Sequence, residues 1–251
     1  MHSSRPSVIL VSHGSGLSET AQDAAIDHAA ELRRRDRYDH VGLCFLSLTD
    51  KAPMLPSGAV YLVPLFMSGG YFVKTRIPEL FGLEQGQRQE AQRQVFQCEA
   101  LGTDPALADV VSAMVGEVVA AANCNRGEIH LLLVAHGSSK SPASREAARM
   151  QQRTLMARQE FADVSVAFLS EPPFLESWLR EQPDTGAPLV IVGLFSADGP
   201  HAAIDVPEIL HIWQKETGGR RFVRYLGAVG PRPEIADLIE CSIARCAARE
   251  G

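Results

Sequence analysis

The sequence predicts two tandem α/β domains, each built on a four-stranded, mainly parallel sheet flanked by helices. Three observations lead there. First, the chain repeats itself: Val8–Ser15 reads V-I-L-V-S-H-G-S and Leu131–Ser138 reads L-L-L-V-A-H-G-S. Second, Val63–Glu79 (V-P-L-F-M-S-G-G-Y-F-V-K-T-R-I-P-E) is echoed by Val192–Glu208 (V-G-L-F-S-A-D-G-P-H-A-A-I-D-V-P-E). A third echo closes each half, with L-G then P-A-L-A-D ending at Asp109 and L-G then P-E-I-A-D ending at Asp237. Ordered matches at a nearly constant offset are the mark of a duplicated unit. Third, apolar runs of strand length alternate with amphipathic stretches of helix length, a pattern that produces parallel sheets covered by helices.

The elements follow in order. Val8–Val11 is a continuous branched apolar run, as expected of a strand buried on both faces. Ser12–Ser18 is a polar loop containing glycine. Glu19–Arg35 has helical periodicity, with Ala24, Ala25, Ile26, Ala29, Ala30 and Leu32 on the inner face. Val41–Leu46 and Val60–Phe66 are the next strands. Ile77-Pro78-Glu79 opens or precedes a helix, since proline is tolerated in a first turn. Gly82–Arg93 is a polar insertion, expected as a helix extension or exposed loop. Strand Val95–Leu101 and helix Ala106–Ala122 complete the half. The second half repeats the order as strand Ile129–Ala135, helix Ser144–Glu160, strands Val164–Leu169 and Leu189–Phe195, a helix near Pro207–Thr217, strand Phe222–Leu226 and helix Glu234–Ala248. The junction falls in the polar Ala121–Gly127, so the domains are expected as residues 1–125 and 126–251.

Composition narrows the function. A chain of 251 residues with 45% hydrophobic and 22% charged residues is ordinary globular protein, long enough for two domains. The net charge of −6 and a pI near 5.8 argue against a nucleic-acid partner. No signal peptide or membrane-length apolar run is present, so no membrane partner is expected. Five scattered cysteines without a C-x-x-C pair argue against zinc-ribbon and iron–sulfur sites and suit reduced thiols in the cytoplasm. Nucleotide-binding glycine motifs are lacking.

In open parallel sheets, ligands bind beyond the carboxyl ends of the strands. Both H-G-S segments and both later blocks fall on that edge. His136 ends one strand of the second half and His201 follows another by six residues from Phe195. Two imidazoles on neighbouring strand ends can share one divalent ion such as Fe, Co, Ni or Zn, and can accept protons. Glu171, after a third strand, is a candidate carboxylate. Asp198 and Asp205 flank His201, and Asp205 is placed to start the helix at Val206-Pro207. Ser15 and Ser138 raise a hydrolase reading, but neither sits in G-x-S-x-G, so loop capping or an anion contact fits them better.

The H-G-S segment, the P-L-F…G-G…I-P-E block and the closing L-G…P pattern together resemble the class II chelatases of tetrapyrrole synthesis, the sirohydrochlorin cobalt- and ferrochelatase family. The resemblance covers most of both halves. It implies chelatase-like, flavodoxin-like domains and a lyase that inserts Co²⁺ or Fe²⁺ into sirohydrochlorin or a related ring. It implies no permanent cofactor: the metal is a substrate, and the partners are the tetrapyrrole and the ion. The expected assembly is a monomer or homodimer. Carried over by position, the family's metal and proton-handling histidines are His136 and His201, with Glu171 the nearest match to its acidic residue. In the first half they fall on His13 and Phe72. Lys74 and Arg76 remain there as groups for ring carboxylates, with Ser138 and His13 as further substrate contacts. The second half therefore carries the expected working site, beside a degenerate first half. A competing reading is a non-catalytic tetrapyrrole or metal carrier on the same fold.

Overall fold

The computed structural model describes residues 5–14, 20–122, 124–182, 186–219 and 221–250. The chain forms two compact units: residues 1–104 with 231–251, and residues 105–230. The expected division at 125/126 follows the sequence repeat; the contacts divide the chain elsewhere, because the two closing helices are exchanged between repeats.

The first unit contains β1 (Ser7–Ser12), α1 (Thr20–Arg34), β2 (His40–Phe45), β3 (Gly58–Pro64), α2 (Ile77–Phe81), β4 (Gln87–Gln89) and β5 (Arg93–Gln97). The second contains α3 (Leu107–Ala122), β6 (His130–Ala135), α4 (Ala143–Ala157), β7 (Asp163–Phe168), α5 (Leu175–Glu181), β8 (Leu189–Leu194), α6 (Val206–Thr217) and β9 (Val223–Ala228). The last helix, α7 (Ile235–Glu250), returns to the first unit, where it packs on α1 and β3. Helix α3, the last of the first repeat, packs instead on α4 of the second.

The sheet order is β2-β1-β3-β5-β4 in the first unit and β7-β6-β8-β9 in the second. All pairings are parallel except the short edge strand β4 against β5. Four strands are as expected in the second unit. The fifth in the first unit arises within the polar insertion, where Gln87–Gln89 folds back on Gln94–Phe96. The central strands β1 and β8 are buried along their whole length, which explains why they read as unbroken apolar runs. Helix α1 buries Ala24, Ala25, Ala29 and Leu32 as expected, but Ile26 is 43% exposed, Ala30 is exposed too, and His28 occupies the inner face at 4%.

On one face of the first sheet, Ile77 and Phe81 of α2 pack with Leu55 on Ile9, Val11, Val60, Leu62 and Val95. The matching layer of the second unit uses Leu175, Trp178 and Leu179 of α5 and Val206, Leu210 and Trp213 of α6, over Leu132, Val134, Leu189 and Ile191. The third sequence echo is corrected by three residues. Gly102 donates to Phe66 O at 2.9 Å, and its structural counterpart Gly230 donates to Phe195 O at 2.9 Å; Gly227 has no such role. The β8–β9 pairing also shifts register by one residue between Ile191 and Gly193.

Candidate functional site

The chain reverses direction across each sheet between its first and third strands, and the two conspicuous segments of each half leave those strands side by side. In the second unit β6 ends at Ala135, in register with Phe168 of β7 and Leu194 of β8. His136 is therefore the first residue past a rigid strand. Its Nδ1 lies 2.9 Å from Gly137 O. Gly137 has φ +77°, and a Cβ there would lie 2.7 Å from Glu171 Cγ, so the loop needs glycine twice over.

Glu171 holds this loop rather than standing open beside the histidines. It is 2% exposed. One carboxylate oxygen accepts the Ser138 N–H at 3.0 Å, and the other accepts Arg145 Nε–H at 2.8 Å and Arg145 Nη2–H. The carboxylate expected near the histidines is thus engaged by the Ser138 N–H and Arg145. A buried charge needs a partner and complete hydrogen bonding, and Glu171 has both. Among the described residues no three histidine, cysteine, aspartate or glutamate side chains group as a metal cage. Ser138 Oγ accepts the Lys140 N–H at 3.2 Å, the loop-capping role that fits its sequence context. Ser15 lies outside the described residues.

Past β8, the chain enters a π-helical segment, His201–Asp205, in which Val206 N–H bonds to His201 O across five residues. This wide turn precedes α6 without a break. Such turns are uncommon and recur at functional sites. It brings the His201 ring against that of His136, centroids 4.5 Å apart and planes at 72°. His201 Nδ1 lies 2.6 Å from Asp205 Oδ2. Asp205 was expected as a helix-starting residue; its side chain makes no capping bond and holds His201 instead.

The first unit keeps the scaffold and changes the side chains. Phe72–Arg76 is again π-helical, with Ile77 N–H bonding to Phe72 O. His13 has its Nδ1 2.6 Å from Gly14 O, and Phe72 meets it at 4.8 Å and 88°, where the second unit has its histidine pair. Phe66 stacks on Phe72 at 5.6 Å. A fourth repeat signal, F-L-S-L at Phe45–Leu48 against F-L-S-E at Phe168–Glu171, is legible in the sequence. Matching backbone bonds run from Ser47 N to His13 O and from Ser170 N to His136 O. They put Leu48, 52% exposed, in the place of Glu171. Three positions have therefore changed together: Phe72 for His201, Leu48 for Glu171 and Arg76 for Asp205. Lys74 is exposed. Arg76 donates from Nη2 to Asp50 Oδ1 at 3.1 Å and to Thr49 O at 3.3 Å. Asp50 is fully exposed, so that pair is weak and its cation can exchange partners.

The comparisons with known proteins agree with this duplicated architecture. The CbiX family matches twice, over residues 7–118 and 130–246. A Halobacterium salinarum protein named as a probable sirohydrochlorin cobaltochelatase is 25% identical over 92% of this chain and 88% of its own. Among solved structures, Bacillus subtilis SirB with Fe³⁺ matches with a TM-score of 0.79 at 16% identity, over 98% of this chain and 97% of that one. The CbiX described as the terminal enzyme of siroheme biosynthesis in denitrifying bacteria matches at 0.70 and 23% identity, over 95% and 98%. A multi-domain Deinococcus radiodurans protein with structural similarity to chelatases and two additional domains matches at 0.79 and 24% identity. It covers 95% of this chain, which spans 54% of that longer protein. With both repeats matched over nearly their whole length, the chain belongs to the CbiX family of chelatases.

Proposed function

We propose that this chain inserts a divalent metal, Co²⁺ or Fe²⁺, into sirohydrochlorin or a closely related tetrapyrrole, and that the second unit performs the insertion. The observation that carries the proposal is the imidazole pair His136–His201 past the strand ends of that unit, where the equivalent pair of the first unit is His13–Phe72. Family membership supplies the reaction class. The name of the archaeal relative points to sirohydrochlorin and cobalt, and the neighbours named for siroheme biosynthesis and for bound Fe³⁺ point to iron.

The reaction exchanges two pyrrole N–H protons for one divalent ion. His136 and His201 suit both halves of it. Neutral imidazole binds borderline ions such as Fe²⁺ and Co²⁺ through nitrogen, and the same ring can take up a proton as a general base. With two protein ligands, the ion keeps positions for water and then for ring nitrogens, so it can be handed over. The ring's carboxylates call for cations and N–H donors. Lys74, Arg76 and His13 are groups of that kind on the first unit, and the Ser138 loop is one on the second. Nothing favours one metal over the other in a pair of imidazoles.

A second reading has its own observation. The first unit carries Phe72 and exposed Leu48 in place of a histidine and a glutamate, an apolar surface suited to holding a flat ring without metal. Anaerobic absorbance of sirohydrochlorin with Co²⁺ and Fe²⁺ in turn separates insertion from carriage. Insertion gives catalytic formation of the metallated spectrum, lost in His201→Ala. A carrier gives a stoichiometric spectral shift without turnover, and that outcome overturns the proposal.

A further inference from the structure

We propose that Asp205 is a positioning residue that fixes the His201 imidazole as its Nδ1–H tautomer and so keeps the Nε2 lone pair free for the incoming ion. The inference rests on the reading that this edge handles a divalent metal.

Three histidines lie beyond the carboxyl ends of the strands, and in each the Nδ1 atom has an acceptor. For His13 and His136 it is the carbonyl of the next residue, Gly14 O at 2.6 Å and Gly137 O at 2.9 Å. A carbonyl can only accept, so Nδ1 must carry the hydrogen and Nε2 the lone pair. His201 sits in a different backbone setting, inside the π-helical segment. Its Nδ1 faces a side chain four residues on, Asp205 Oδ2 at 2.6 Å. An ionised carboxylate also only accepts, and the same tautomer results. Residues four apart share one face of a helical turn, and the Asp205 side chain turns to His201 and makes no capping bond to α6.

Exposure makes the contact matter. The side chains of His201 and Asp205 are 50% and 45% exposed, so packing does not hold the ring. Without Asp205 the ring can rotate and take the Nε2–H form, which puts a proton on the ligating atom. The first unit provides an internal comparison: Phe72 has no ring nitrogen to orient, and Arg76 in the position of Asp205 cannot accept a hydrogen bond. Ligand and support are absent together. A carboxylate behind a ligating imidazole both orients it and strengthens it as a donor, and losing one costs about 10–100-fold in metal affinity or activity.

The test uses the full chain with Asp205→Ala and Asp205→Asn. Ring ¹⁵N shifts of His201, read without metal above the imidazole titration, report the tautomer directly. Insertion kinetics with Co²⁺ as the varied substrate report its consequence. The wild type shows hydrogen on Nδ1. Asp205→Ala moves it to Nε2 and raises the KM for Co²⁺ by about 10–100-fold, with a smaller effect on kcat. Asp205→Asn, whose amide oxygen still accepts, restores the tautomer and most of the KM. Hydrogen on Nε2 in the wild type overturns the proposal. So does an unchanged tautomer in Asp205→Ala, or an asparagine variant as impaired as the alanine. The tautomer measurement needs no metal, so a failure of the insertion reading leaves it standing on its own result.

Discussion

His13 and His136 occupy equivalent strand ends, yet only His136 has a second imidazole against it. At the residue scale this predicts unequal losses. His136→Ala and His201→Ala should each lower insertion by about 100-fold or more, the range for removing a positioned proton-transfer group. His13→Ala should cost only a few-fold, measured per folded molecule under anaerobic conditions. Equal losses at His13 and His201 would place work in the first unit as well. Glu171 gives a sharper test of brace against catalyst. Glu171→Ala strips the Ser138 N–H and Arg145 of their acceptor and should destabilise the protein by about 1–3 kcal/mol. Glu171→Gln keeps the N–H bond and should cost less. A glutamine variant with full thermal stability and no turnover would make the carboxylate catalytic after all. Both histidines were legible in the sequence, one from H-G-S and one by counting from the block phenylalanine. The role of Glu171 was not, because its partner Arg145 lies on another element and only folding brings them together.

At the scale of elements, two glycines pack against the backbone that leads from β8 and β3 towards the wide turns. A Cβ on Gly230 would lie 2.2 Å from Ser196 O, and one on Gly102 2.1 Å from Met67 O, both backbone atoms that cannot swing aside. Gly230→Ala should therefore lower thermal stability and displace the segment leading to His201, cutting insertion. Gly102→Ala should lower stability with little effect on turnover per folded molecule. Helix α1 is tied to α7 by Arg35, just past its end, which reaches Glu31 on α1 and Asp237 and Glu240 on α7. Hydrogen bonds from Arg34 and then Arg35 hold the Glu31 carboxyl at about 2, well below its ordinary 4.5. A depressed carboxylate stabilises the fold above its ordinary value, and that contribution disappears as pH falls from 4.5 towards 2. Acid unfolding of Glu31→Gln should lack this part of the pH dependence, with the midpoint at neutral pH lowered. A Glu31→Gln profile parallel to wild type between those values would show that the contacts do not persist in solution. Periodicity located the long helices. It missed α5, a single short run of Leu175–Glu181, and the π-helical segments, because a widened turn differs from an α-helix by one backbone bond and not by residue pattern.

For the whole molecule, the exchange of closing helices decides what folds as a unit. Asp109 and Asp237 are sequence equivalents, and each pairs with an arginine just past the first helix of the other repeat: Asp109 with Arg158, Asp237 with Arg35. Residues 105–230 should therefore fold cooperatively as a fragment, while 126–251, a complete sequence repeat, should not, since it lacks α3 and leaves the α4 face bare. Circular dichroism with thermal melts compares the two directly; a cooperative transition for 126–251 alone would refute the exchange. The sequence by itself determined the duplication, the parallel α/β layering, the family and the surviving histidine pair, because these are carried by strand-length apolar runs and by side chains at fixed distances from them. Tertiary structure alone decided which repeat owns each closing helix, that Glu171 braces a loop, and that Asp205 turns to His201. Those outcomes depend on contacts between segments far apart in the chain, or on which of two partners a side chain takes, and neither leaves a periodic trace in the residues.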